Sequence, residues 1–154
     1  MDTLIIFGAK YLIAGTAAVV AAYMSFLPRE QKIRLGLIVL AALPLAWVLA
    51  RIAGMFFSHQ QPFATEGFEP LIPHEVGNSF PSDHSAFAMA LAAAAWFFNR
   101  YLGAALALAA LVVGASRILA GLHYPVDVLA GLLVGAAAAG AARLIILYFA
   151  RRTD

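Results

Sequence analysis

Residues 102–150 read LGAALALAALVVGASRILAGLHYPVDVLAGLLVGAAAAGAARLIILYFA. Two apolar runs, 102–120 and 126–150, flank the tight connection Gly121-Leu122-His123-Tyr124-Pro125. Each run is close to the roughly 20 residues that cross a bilayer as a helix. Both are rich in alanine and leucine and lack the alternation of a barrel strand, so they read as helices. A helix also satisfies its own backbone polar groups, as hydrocarbon requires. At the join of this hairpin stand Ser116, Arg117, His123 and Asp127. Charged side chains at the border of a span are costly and need a reason to be there.

The rest of the chain extends the same pattern. Its 154 residues are 64% hydrophobic and 12% charged, with a mean hydropathy of +0.88. A soluble domain is about 45–50% apolar and about 25% charged. This balance excludes a secreted globule, a disordered chain and a nucleic-acid-binding domain. The length allows one domain, residues 1–154. There is no cysteine, hence no disulfide, thiolate metal site or cysteine nucleophile. Three more apolar stretches precede the hairpin, at 4–27, 33–57 and 82–98. Asp2 stands where a signal peptide would be positive and Lys10 interrupts the first run, so that run reads as a retained span. Pro44 and Arg51 lie inside the second, and Pro44 is expected to kink it. The single long loop, 58–81, carries four prolines together with Glu66, Glu69 and Glu75, which read as a solvated face. Gly131 and Gly135 read as close helix packing rather than a dimer signature. The expected architecture is all-α: a polytopic membrane helix bundle of about five transmembrane helices.

Five spans place the two ends of the chain on opposite faces. Arg29, Lys32, Arg34, Arg100, Arg143, Arg151 and Arg152 then share the face away from the N-terminus, seven of the ten Lys and Arg residues. Most acids lie toward the other face. The positive-inside rule puts the basic face in the cytoplasm and the N-terminal face outside. All four histidines, His59, His74, His84 and His123, fall toward that outer face.

Two polar clusters share this level: Pro81-Ser82-Asp83-His84, and Ser116-Arg117 followed by His123 and Asp127. Taken singly, Ser82 is a good N-cap, Pro125 suits a first helical turn, and Asp127 complements a helix N-terminus. Taken together, they supply two imidazoles, a guanidinium, a carboxylate and helix N-termini. Phosphoryl transfer needs such a set: a nucleophile, an acid for the leaving group, and positive charge for the phosphoryl oxygens.

The two clusters resemble motifs of the type-2 phosphatidic acid phosphatase superfamily. Pro81-Ser82-Asp83-His84 resembles its P-S-[GD]-H motif, and Ser116-Arg117-x5-His123-x3-Asp127 matches its S-R-x5-H-x3-D motif at full spacing. Phe80 and Tyr124-Pro125 resemble the bacterial undecaprenyl-pyrophosphate phosphatase branch. The resemblance covers residues 51–133. It implies that His123 attacks phosphorus and that Asp127 holds its tautomer. It implies that His84 protonates the leaving oxygen and then activates water. Arg117, with Ser82, Asp83 and the N–H groups opening the third span, would bind phosphate. No metal and no cofactor is implied, and the histidines lack the spacing of a zinc site.

The family's first motif, K-x6-R-P, is altered. Pro62 is present, but Gln61 stands where arginine is expected and Gly54 where lysine is expected. Arg51 and Lys10, each within about 9 Å of the outer end of its span, could restore the missing charge by snorkelling. His59 and His74 read as interfacial, with His59 near enough to the altered motif to touch phosphate. The resemblance implies a plasma-membrane lipid phosphatase with an outward-facing site. Undecaprenyl pyrophosphate is the first substrate, ahead of phosphatidylglycerophosphate or phosphatidic acid. The competing reading is a weak or inactive lipid-phosphate binding or transport protein on the same scaffold. The partners are the lipid substrate and the bilayer, with no role for nucleic acid.

Overall fold

The computed structural model describes residues 1–152, and every regular element in them is helical: α1 (Asp2–Lys10), α2 (Leu12–Phe26), α3 (Arg29–Phe56), α4 (Pro62–Glu66), α5 (Asp83–Trp96), α6 (Arg100–Leu119) and α7 (Pro125–Ala150). The polar turns foreseen between spans are where helices end. Leu27 and Pro28 are extended between α2 and α3. Asn99 caps α6, its side chain accepting from the N–H groups of Tyr101 and Leu102. Pro125 opens α7, where its missing N–H costs nothing, and Asp127 reaches back to the Tyr124 N–H. Pro44 lies inside α3 without ending it.

The organising helix is α5. It has 14 residues, about 21 Å, which is short of a bilayer core. Nearly all its small residues are buried, from Ser85 and Ala86 to Ala95, because α3, α6 and α7 surround it. Glycines make that packing close. A Cβ on Gly131 would overlap the Ser82 carbonyl, and one on Gly135 the Ala86 carbonyl. The pair therefore seats α7 directly on the α5 backbone, in line with the packing role read from the sequence.

Two features refine the expectation of about five spans. Among the described residues, α3, α6 and α7 are each long and apolar enough to cross a membrane. The first stretch is not one straight helix: it breaks at Tyr11 into α1 and α2, bent by 49°. The break turns α1 onto the C-terminal end of α6, where Gly8 packs against Ser116 so closely that a Cβ would overlap its Oγ. Counting the bent pair as one gives four segments long and apolar enough to cross alone, and the 14-residue α5 runs back through the bundle between α3 and α6, sheltered by its neighbours. The chain still alternates in direction, so the ends of α3 and α6 and the starts of α5 and α7 meet at one end of the bundle. The fold is a polytopic membrane helix bundle.

Candidate active site

Backbone contacts bring the two polar clusters together. The Ser82 N–H donates to the Asp127 carbonyl at 3.0 Å, tying the start of α5 to the first turn of α7. Ser82 is buried, and its hydroxyl accepts from Ser85 at 3.1 Å. After α6, Gly121 adopts φ +78°, which lets the chain reverse and the Leu122 N–H reach the Arg117 carbonyl. The ring of Phe68 lies where a Cβ on Gly121 would be, 2.5 Å away. The long loop is thus pinned over this turn, through the Phe63 N–H to Gly121 and the Leu71 N–H to Ala120 as well.

His123 and Arg117 are both buried. The His123 Nδ1 lies 3.0 Å from the Ser79 carbonyl and 3.2 Å from the Ser79 Oγ. A carbonyl only accepts, so Nδ1 carries the proton. Nε2 is then the free base, 3.3 Å from an Arg117 guanidinium nitrogen. Asp127 is fully buried. Its Oδ2 accepts from the Ser79 hydroxyl at 2.5 Å and from the Tyr124 N–H at 2.8 Å, and lies 3.6 Å from His123 Nδ1. The link between Asp127 and His123 therefore runs chiefly through Ser79. No motif or periodicity marks Ser79 in the sequence, since it acts through a loop folded across the hairpin.

His123 and Arg117 open onto a cleft of about 490 Å³ that is also lined by His84, Asp83, Arg51, Gln61 and His74. One guanidinium nitrogen of Arg51 lies 2.5 and 2.6 Å from the two Asp83 oxygens, so these residues form a pair on the cleft wall. Gln61 is buried: its Oε1 accepts from the Gly77 N–H at 2.9 Å and its Nε2 donates to the Glu75 carbonyl. Gly54 makes room for Asn78, whose amide donates to the Gly54 carbonyl at 3.1 Å. A Cβ there would lie 2.9 Å from both Asn78 Nδ2 and the Phe80 carbonyl. Lys10 is exposed, its ammonium 5.3 Å from the centre of the Tyr11 ring, and it is not among the residues lining the cleft.

Two loop histidines read as interfacial have specific places. His74 lines the cleft with its ring 6.5 Å from that of Phe63. Partial burial lowers its pKa below the ordinary 6.5, and the charge of Arg117 adds to this against the opposing Glu75. His59 lies outside the cleft lining, with its Nε2 2.9 Å from Asp127 Oδ1. Glu75, expected on a solvated face, also lines the cleft.

The match to the PAP2 superfamily covers residues 35–151. The bacitracin transport permease protein BcrC of Bacillus licheniformis is 37% identical over 137 residues, covering 88% of this chain and 66% of that one. The undecaprenyl-diphosphatase BcrC of Bacillus subtilis is 34% identical over 137 residues, covering 87% of this chain and 69% of that one. The chain thus spans about two thirds of the length of these curated relatives. Among solved structures, Aquifex aeolicus LpxE superposes with a TM-score of 0.69 at 25% identity, over 91% of this chain and 81% of that one. With more than half of its length matched, and with the buried His123, Arg117 and Asp127 of its hairpin gathered beside His84, the chain belongs to the PAP2 superfamily.

Proposed function

We propose that this protein is a membrane lipid phosphatase that hydrolyses a lipid pyrophosphate, first of all undecaprenyl pyrophosphate, through a phosphohistidine on His123. One observation carries the lipid assignment. An apolar groove of about 570 Å³ runs between α2, α3 and α5, lined by Ala14, Leu43, Trp47 and Leu91 among others. Ile13 and Phe87 line both this groove and the polar cleft. The two cavities meet there, as an amphiphile with a phosphate head and a hydrocarbon tail requires.

His123 Nε2 attacks the terminal phosphorus as the bond to the bridging oxygen breaks, and the departing lipid phosphate takes a proton from His84. His84, now neutral, accepts a proton from water, whose oxygen attacks the phosphohistidine. Inorganic phosphate leaves and His123 is restored. Arg117, Arg51 and the unbonded N–H groups in the first turn of α5 hold the phosphoryl oxygens. The bound dianion also favours the protonated form of His84. The cleft lies at the end of the bundle opposite most of the arginines and lysines, which supports an outward-facing site in the plasma membrane.

A second reading, a lipid-phosphate binder or transporter, draws on the neutral Gln61 and on the permease name of one relative. Phosphate release by the protein in detergent separates the two. Undecaprenyl pyrophosphate, phosphatidylglycerophosphate and phosphatidic acid would each be offered, with His123→Ala as control. Release that is fastest from the first and lost in the control is the expected result. Tight binding without release by the parent protein would favour the binder.

A further inference from the structure

His59 makes a contact that the proposed reaction does not use. Its Nε2 and the Oδ1 of Asp127 are both shut off from solvent and lie 2.9 Å apart. This is ion-pair distance without the alignment of a hydrogen bond, and neither atom has another partner among the described residues. Two buried polar atoms so placed satisfy each other or neither. A lone pair on Nε2 would face the carboxylate's own lone pairs, so Nε2 is the protonated ring nitrogen. Neighbours fix the ring: the Tyr124 ring is 5.5 Å away and the Phe80 ring 6.1 Å. The His59 backbone is bound to the same segment, its carbonyl accepting from the Ser79 N–H at 2.8 Å and its N–H donating to Asn78 Oδ1.

We propose that His59 is a positioning residue for the hydrolytic site, holding Asp127 through Oδ1 so that Oδ2 is presented to Ser79 and His123. This rests on the reading of His123 as nucleophile. Asp127 then stands between two imidazoles and shares one negative charge between them. The titratable groups facing His59 are Asp127 and Tyr124 from the start of α7, with His123 beyond the carboxylate. The segment across from them presents Asn78 and Phe80, which do not titrate.

The test is steady-state hydrolysis of undecaprenyl pyrophosphate by the full chain in detergent, with His59→Phe, His59→Gln and His123→Ala. His59→Phe removes the contact and should lower kcat about ten- to a hundredfold, as expected for losing a bond to a buried charge, with KM unchanged. His59→Gln keeps an N–H donor and should restore most of that loss. Parental kcat in His59→Phe, or no recovery in His59→Gln, would overturn the proposal. Should His59→Phe fail to fold, His59→Ala takes its place, with the same loss expected and parental kcat again overturning the proposal. Activity surviving in His123→Ala would instead bring down the nucleophile assignment itself. Loss of activity in His123→Ala together with parental kcat in His59→Phe would refute only the role of His59.

Discussion

Replacing Arg51 with alanine separates a structural role for its charge from a catalytic one, because the two predict different magnitudes. The Arg51 and Asp83 side chains are 50% and 36% exposed, so their ion pair is screened by water. A pair of that kind contributes about 0–1 kcal/mol to stability. For a chain of this size, that is a shift in Tm of at most about 2–4 °C. A guanidinium bonded to a phosphoryl oxygen contributes more, about 1.5–3 kcal/mol for a bond to a charged group. If that bond strengthens as phosphorus is attacked, Arg51→Ala should cost about ten- to a hundredfold in kcat/KM. The predicted outcome is therefore a large loss of phosphate release beside a small loss of Tm. Asp83→Asn provides the converse: it frees Arg51 from its carboxylate partner and should lower KM for the anionic substrate. Lys10→Ala should leave kcat/KM unchanged, because Lys10 lies over Tyr11 and away from the cleft. Both measurements use detergent-solubilised protein and undecaprenyl pyrophosphate. Parental kcat/KM in Arg51→Ala would refute the assignment, and so would a loss of activity that merely followed a large loss of Tm.

Three further outcomes are expected. Ser79→Ala removes the donor to Asp127 Oδ2 but leaves the carbonyl that holds His123 Nδ1, so kcat should fall about tenfold, the worth of one buried bond, with His123 still competent; single-turnover phosphate release checks this. Gly135→Ala drives a Cβ into the Ala86 carbonyl, and since backbone cannot step aside, α7 must lift from α5 at a cost of about 1–3 kcal/mol, read as a lower Tm. His74 has a folded-state pKa below its ordinary 6.5, so the folded protein takes up this proton less readily than the unfolded chain. Stability from this group is intact well above pH 6.5 and declines as pH falls below it; His74→Asn should therefore lose less Tm between about pH 7 and pH 5 than the parent.

What could be read from the sequence and what could not divide along a physical line. His123 and Asp127 were legible because four residues separate them, Asp127 in the first turn of α7 and His123 just before its N-cap, so the short chain between them keeps them close. Arg117 joins them because a six-residue step across a glycine turn leaves few other geometries. Apolar runs likewise marked α3, α6 and α7, whose length is set by the membrane. The break at Tyr11 was not legible, since it answers to a neighbour: α1 turns to meet Ser116. The shortness of the third stretch was legible, and the structure adds its reason: α3, α6 and α7 surround α5. The loop 58–81 was least legible of all, because nothing periodic governs its path. That loop nonetheless decides the chemistry around the hairpin. It delivers Ser79 between Asp127 and His123, sets His59 on the other side of the same carboxylate, and turns His74 into the cleft. It also explains the altered first motif. Gln61 bonds the loop to itself at Glu75 and Gly77, while Asn78 fills the place a side chain at Gly54 would need. The two positions that lack their expected cations hold the loop closed over the hairpin. Beside Arg117, the cation that lines the cleft is Arg51, which lies one helical turn before Gly54 on α3.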